Sequence, residues 1–291
     1  MMDAEDFVAA AYRDACLAEL DAPKPGNVHK YSAGHWMSVA DFVRSAEASA
    51  AAIAHDGARV GARIRDAVAA TLAAVGLNTN LGIILLCAPL AAAAQAPGDD
   101  LRASLIDVLA KLDRADAAHA FAAIGAANPG GLGRATRHDV NAPADVTLLQ
   151  AMAAARKRDS IARQYVTGFE DVFALGLPAL AAARRRYAEP RWATLAVYLA
   201  YLSAFADTHV SRKHGAATAA AVRDEARLWR ARFDAAGDPA TLLAALLDWD
   251  AALKARQLNP GTSADLTVAT LFAERLSNKA LAVLPSSRNN D

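Results

Sequence analysis

Two cysteines in 291 residues are too few for a disulfide framework, and Cys16 and Cys87 both sit among apolar neighbours. Reduced core thiols are the expectation, not a zinc site or a secreted, bridge-stapled fold. Charge of either sign is not in excess, since Lys plus Arg and Asp plus Glu both total 31. The balance leaves no global field to gather nucleic acid or an anionic membrane. A long apolar run is missing as well. The most apolar stretch, 81–94, contains Pro89 and falls short of the roughly 20 residues a membrane helix needs. The start, MMDAEDF, is acidic and lacks the basic-then-apolar order of a signal peptide. A cytoplasmic protein without a membrane anchor is expected. Alternating strand patterns of useful length are absent too.

Alanine-rich helical periodicity is present instead. Phe7, Ala10, Cys16, Leu17 and Leu20 mark a helix that stops before Pro23. Ser38 and Asp41 form a capping-box pattern that opens a helix reaching about residue 55. Ile64, Val68, Leu72 and Val75 share a stripe ending at Gly76. The runs 81–94 and 192–206 are apolar on nearly every side, which marks them as two buried central helices. Helices are also expected over 100–124, 143–157, 160–173, 178–188, 216–235, 239–255 and 263–276, with a frayed tail PSSRNND. No linker, repeat or low-complexity block divides the chain. The expectation is an all-α fold, one helical-bundle domain over 1–291. The segment 125–145, rich in Gly and Pro, is the one long irregular interior stretch, and such loops tend to be functional or disordered.

Four polar breaks interrupt the helices. In PKPGN, Pro23 and Pro25 stiffen the chain around Lys24, and Gly26 and Asn27 follow; the combination could hold an anion or be a plain turn. In GLNTNLG, Asn78, Thr79 and Asn80 stand before a buried helix, whose N-terminus suits a phosphate. One asparagine would suffice for capping. In DTHVSRKHG, a continuing helix would place Asp207, Ser211 and His214 on one face and Thr208 with Arg212 on another. A carboxylate at a helix C-terminus is unfavourable unless it has a partner, such as Arg212, His214, a metal or a ligand. In LNPGTSADL, Thr262 or Ser263 would cap the last helix, with Asp265 in its first turn. Loops that converge at one end of a bundle with carboxylates, bases and helix N-termini suit a Mg²⁺-bound polyphosphate.

PKPGNV with His35 and Met37, then GLNTNLG, DTHVSRKHG and NPGTSADL, occur in the order and approximate spacing of the triphosphoribosyl-dephospho-CoA synthase family. The chain resembles that family over nearly its whole length. The resemblance implies an all-helical transferase that moves the triphosphoribosyl group of ATP to the 2′-hydroxyl of 3′-dephospho-CoA and releases adenine. It further implies Asp207 first, and Asp265 second, as the catalytic carboxylate or Mg²⁺ ligand. Lys24, Gly26, Asn27, Asn78, Thr79, Asn80, Arg212 and Lys213 would bind ATP and its phosphates, and His209 or His214 would protonate adenine. No nucleic acid or membrane partner is implied, and a homo-oligomer is compatible with the pattern. The second motif here lacks the histidine and lysine of the best-known members, and the third has His209 and Lys213–His214–Gly215 in place of Asn and Arg-Gly-Gly. These departures mark a divergent branch and bear on the acceptor. The alternatives are a phosphoribosyl or glycosyl transferase using another acceptor, such as a pterin-type one-carbon coenzyme precursor, and a non-catalytic helical interaction protein.

Overall fold

Helix follows helix along the chain in the computed structural model, which describes residues 3–133 and 137–278. The order is α1 (Ala4–Asp21), α2 (Val39–Ala54), α3 (Val60–Val75), α4 (Leu81–Gln95), α5 (Leu101–Ala110), α6 (Arg114–Ala127) and α7 (Leu148–Ala155). It continues with α8 (Ser160–Thr167), α9 (Leu177–Arg186), α10 (Pro190–Ala204), α11 (Thr208–His214), α12 (Ala216–Ala235), α13 (Leu243–Ala255) and α14 (Gly261–Ser277). No strand occurs among the described residues, only isolated bridges at His29–Ser32 and Gly34–Met37. The tail PSSRNND lies outside the described residues. Among those residues, no single helix is long and apolar enough to cross a membrane.

Several predicted ends coincide with their chemical signals. Ser38 and Asp41 exchange side-chain and backbone hydrogen bonds as a capping box at α2, and Gly76 ends α3 in the left-handed conformation. The region 100–124 is two helices, not one, because Asp113 caps a new start at α6. The region 160–173 is broken at Gly168 and Phe169, both at positive φ. A short π-helical turn, Val172–Gly176, then leads into α9.

The expected central helices α4 and α10 are buried on almost every face. Each fully enclosed leucine or isoleucine on them contributes roughly 1.5–3 kcal/mol. Pro89 sits inside α4 and lacks the N–H that would bond the Leu85 carbonyl. Tyr165 of α8 donates its hydroxyl to that carbonyl at 2.6 Å, so the vacancy in the ladder is filled.

A third helix shares the centre. α14 is buried along nearly its whole length and packs on α1, α4 and α10. Its threonines disguised it in the sequence. Thr267 and Thr270 are fully buried and return their hydroxyls to the carbonyls of Ser263 and Leu266 at 2.8 and 2.9 Å. A hydroxyl bonded within its own helix can be buried at little cost. One continuous cluster of buried side chains extends from Val8 to Leu276.

Candidate active site

The N-termini of α4, α11 and α14 meet at one end of the bundle, and the sequence there folds by local rules. α10 stops at Ala204, and Asp207 does not continue it. It caps the next helix, accepting the His209 and Val210 backbone N–H groups through Oδ1 at 2.9 and 3.1 Å. Its other oxygen accepts the Ser263 N–H and hydroxyl, both at 2.8 Å. The expectation of a carboxylate stranded at a helix C-terminus, with Ser211 and His214 on its face, is therefore corrected. Asp207 stands at a helix start, where a negative charge is favoured. Neither Arg212 nor His214 is its partner. Burial pushes its carboxyl above the usual range, while the four hydrogen bonds pull it back down.

Four donors from its own chain leave Asp207 little capacity for a further ligand. Asp207→Asn is expected to destabilise the protein by roughly 1–3 kcal/mol, the cost of leaving buried donors unmatched. Turnover per folded molecule should stay close to wild type. Melting temperature and adenine release on one purified variant check both halves.

Asp265 differs. α14 begins at Gly261 after Pro260, two or three residues earlier than a cap at Thr262 or Ser263 would set it, so Asp265 falls in the second turn. No hydrogen bond or ion pair from the described residues acts on its carboxylate, only burial and more distant charges. A Cβ added to Gly82 in the first turn of α4 would come within 2.0 Å of Asp265 Oδ2 and 2.9 Å of Ile161 Cδ1. Only glycine allows this approach of carboxylate to backbone. Burial raises the Asp265 carboxyl well above the ordinary carboxylate range, helped by the charges of Asp207 and Glu19 and opposed by Arg212.

Gly82 and Ile161 belong to the wall of a cavity of about 590 Å³. Its apolar floor includes Leu81, Leu85, Phe121, Leu148 and Met152, while Arg137, Arg158, Arg212 and Asp159 stand among its polar residues. Gly131 and its neighbours form one side; the expected irregular stretch 125–145 begins later, since α6 runs on to Ala127. Arg212 ties that segment to α11 by donating Nε to the Gly130 carbonyl at 3.2 Å, and its Nη1 lies 3.5 Å from Asp159. A cavity of this size is within the ordinary range for a small-molecule site.

The PKPGN loop packs against the other side of the NPGT turn. Gly26 has φ +83°, and a side chain there would meet Pro260 Cδ at 2.8 Å. Its N–H donates to Asp250 Oδ1 at 2.8 Å, and Asn27 donates to Asn259 at 2.8 Å. Lys24 is fully buried; its Nζ lies 2.9 Å from Glu19 and donates to the Val28 carbonyl at 2.6 Å. Burial lowers its pKa, with Glu19 opposing. The amine expected at a phosphate is thus occupied by its own chain. Asn78, Thr79 and Asn80 are likewise bonded within the chain. Asn78 Oδ1 accepts the Leu81 N–H at 3.3 Å, Thr79 donates to Ser45 at 2.6 Å, and Asn80 donates to Ser49 at 3.3 Å.

His209 lies over Gly261, where a Cβ would meet its Nδ1 at 2.3 Å. Burial, then the charges of Lys213, Arg212, His35 and His214, bring its pKa down to about 3. It is a neutral imidazole at physiological pH. His214 Nε2 is buried without a hydrogen-bond partner among the described residues. Lys213 is exposed, with its side chain against Gly130.

The expected constellation therefore gathers at one end, but of its members Arg212 lines the cavity and Asp265 packs against Gly82 in its wall, while Lys24, Asn78–Asn80 and Asp207 form packing farther back. Glu19, Asp250, Arg158 and Asp159 lie outside the four breaks and were given no site role, while Asn259 falls within LNPGTSADL and Arg137 within the 125–145 stretch. No three His, Cys, Asp or Glu side chains among the described residues converge as metal ligands. With Asp207 saturated, Asp265 is the one of the two expected metal ligands with free oxygens.

The family model for ATP:dephospho-CoA triphosphoribosyl transferase (CitG) matches residues 5–282. The chain belongs to that family. Its fold is also that of a crystal structure from Archaeoglobus fulgidus named, by assignment, a triphosphoribosyl-dephospho-CoA synthase, at a TM-score of 0.62 and 24% identity. The match covers 79% of this chain and 95% of that one. No curated protein matches the chain. The ATP:dephospho-CoA triphosphoribosyl transferase is an enzyme whose substrates are ATP and dephospho-CoA.

Proposed function

We propose that Asp265 is the catalytic carboxylate of this transferase, and that the cavity beside Gly82 receives the ribose and triphosphate of ATP. One observation carries the reading: a carboxylate that makes no hydrogen bond to the described residues packs against Gly82 in the cavity wall, with its pKa raised well above the ordinary carboxylate range. The 2′-hydroxyl oxygen of dephospho-CoA attacks C1′ of the ATP ribose. The C1′–N9 bond breaks, and its electron pair leaves with adenine. The ionised Asp265 stabilises the positive charge that develops at C1′ as the C1′–N9 bond opens, and then takes the proton from the hydroxyl oxygen that has bonded to C1′. Arg212, with Arg137 and Arg158, faces the triphosphate, for which a planar guanidinium is well suited. Of the two histidines, His214 keeps the candidacy for protonating adenine, because His209 is held unprotonated.

Mg²⁺ fits as an ion carried by the triphosphate, with phosphate oxygens and water as ligands and Asp265 as a nearby carboxylate. When bound it would neutralise phosphate charge. The chain is read as working as one domain in the cytoplasm.

Incubation with ATP and Mg²⁺, with or without dephospho-CoA, tests the function by free adenine and product mass. Adenine appearing only with dephospho-CoA is the expected result; adenine from neither mixture contradicts the reading. The rate should rise with pH along an acid limb lying above the ordinary carboxylate range near 4, because deprotonation of Asp265 creates the base. A limb at or below that range would remove Asp265 from the role.

A further inference from the structure

Gly34 and Met37 exchange backbone hydrogen bonds, at 3.3 Å from the Gly34 N–H and 3.0 Å from the Met37 N–H. The two residues between them, His35 and Trp36, have φ values of +56° and +62°. Positive φ at both central residues is what a type I′ hairpin turn demands, and such turns strongly prefer Asn-Gly. His-Trp is a poor choice for that backbone. A β-carbon resists the left-handed region, and a bulky ring gains nothing from it locally. A strained turn persists when the surroundings hold it, and strain of this kind clusters at ligand clamps.

The surroundings do hold His35. Its Nε2–H donates to the Gly26 carbonyl at 2.8 Å, tying the turn to the PKPGN loop. Gly34 lies against the Lys254 side chain, where a Cβ would meet Cε at 2.8 Å. The charges of Lys254 and Lys213 bear on the His35 ring, and His35 in turn bears on His209. Gly26 packs on Pro260, and the next residue, Gly261, lies under His209, so the turn stands on the NPGT side of the candidate site. Trp36 gains nothing from folding. It is 96% exposed, while Trp192 is buried and Trp229 stacks on Trp249. A large apolar ring exposed to solvent on this side of the molecule matches one need of an adenine nucleotide, a face for the base.

We propose that the strained His35–Trp36 turn is a nucleotide clamp in which Trp36 stacks on the adenine base of a substrate. The proposal rests on the transferase reading, since both substrates carry adenine, and ATP and dephospho-CoA are the separate arms of its test. Intrinsic fluorescence is followed while each nucleotide is added alone to wild type, Trp36→Phe and Trp36→Gly. One nucleotide should quench wild-type emission, and Trp36→Phe, which keeps a stacking ring, should lose that signal. Trp36→Gly should raise KM for the same nucleotide about five- to hundredfold, the effect of losing a base–aromatic stack. Its melting temperature should hold or rise, because glycine relieves the left-handed strain. Absence of quenching by both nucleotides, with KM values unchanged in Trp36→Gly, overturns the clamp. A wild-type protein that releases no adenine from the two substrates together contradicts the transferase reading instead, and the binding titrations still report on Trp36.

Discussion

Asp265→Asn is expected to lower adenine release by roughly 10²–10³, the usual effect of deleting one preorganised charge at a reaction centre. The same substitution should leave the protein as stable as wild type or more so. The sign follows from linkage. Burial and the neighbouring carboxylates raise the folded-state pKa of Asp265 above its unfolded value. Between those two values the folded state binds more protons, so stability falls as pH rises through that window. Above it the full penalty of an ionised buried carboxylate is present. Asparagine keeps the shape and removes that penalty. Activity and stability should therefore move in opposite directions, the mark of a group retained for chemistry. Urea denaturation at pH 5 and pH 8, set beside adenine release, measures both. A variant that loses stability and keeps turnover would make Asp265 a structural residue.

Glu19→Ala should be among the most destabilising single changes at this end of the bundle. Lys24 is wholly enclosed, with its amine between Glu19 and the Val28 carbonyl. Removing one partner of a buried pair leaves an unmatched charge and typically costs roughly 3–5 kcal/mol. Lys24 has a partial escape, because burial already lowers its pKa and deprotonation would relieve some of the cost. The double variant Glu19→Ala with Lys24→Met should recover much of the loss, since no charge then remains in the interior. Denaturation of the two singles and the double measures the coupling. Folded Lys24→Met should keep the wild-type KM for ATP; a large rise in that KM would return the lysine to the phosphate-binding role implied by the family resemblance.

The contrast between these two residues shows what could be read in the sequence. Helix existence was legible because it depends on local signals. Apolar spacing located α1, α3, α4 and α10, the Ser38–Asp41 box opened α2, and Gly76 closed α3. The order of the polar motifs also carried the family, which matches residues 5–282.

The role of each polar residue was not legible, because it depends on which donors occupy it. Asp207 reads as stranded only if α10 continues; a chain break at Phe205 turns it into a cap filled by four donors. Lys24 reads as a phosphate contact until Glu19, on the preceding helix, is seen to hold it. Asp250 and Lys254 have the spacing of a solvated surface pair, yet Asp250 is buried and also receives the Gly26 N–H. Asp265 reads as a comfortable first-turn carboxylate, and only the packing of α14 against Gly82 of α4 leaves it without a partner at a cavity wall. The sequence alone determined the helices and the family, since periodicity and capping act within a few residues. The tertiary structure alone decided which charges are spent within the fold and which remain free, since that turns on contacts between residues as far apart as 82 and 265.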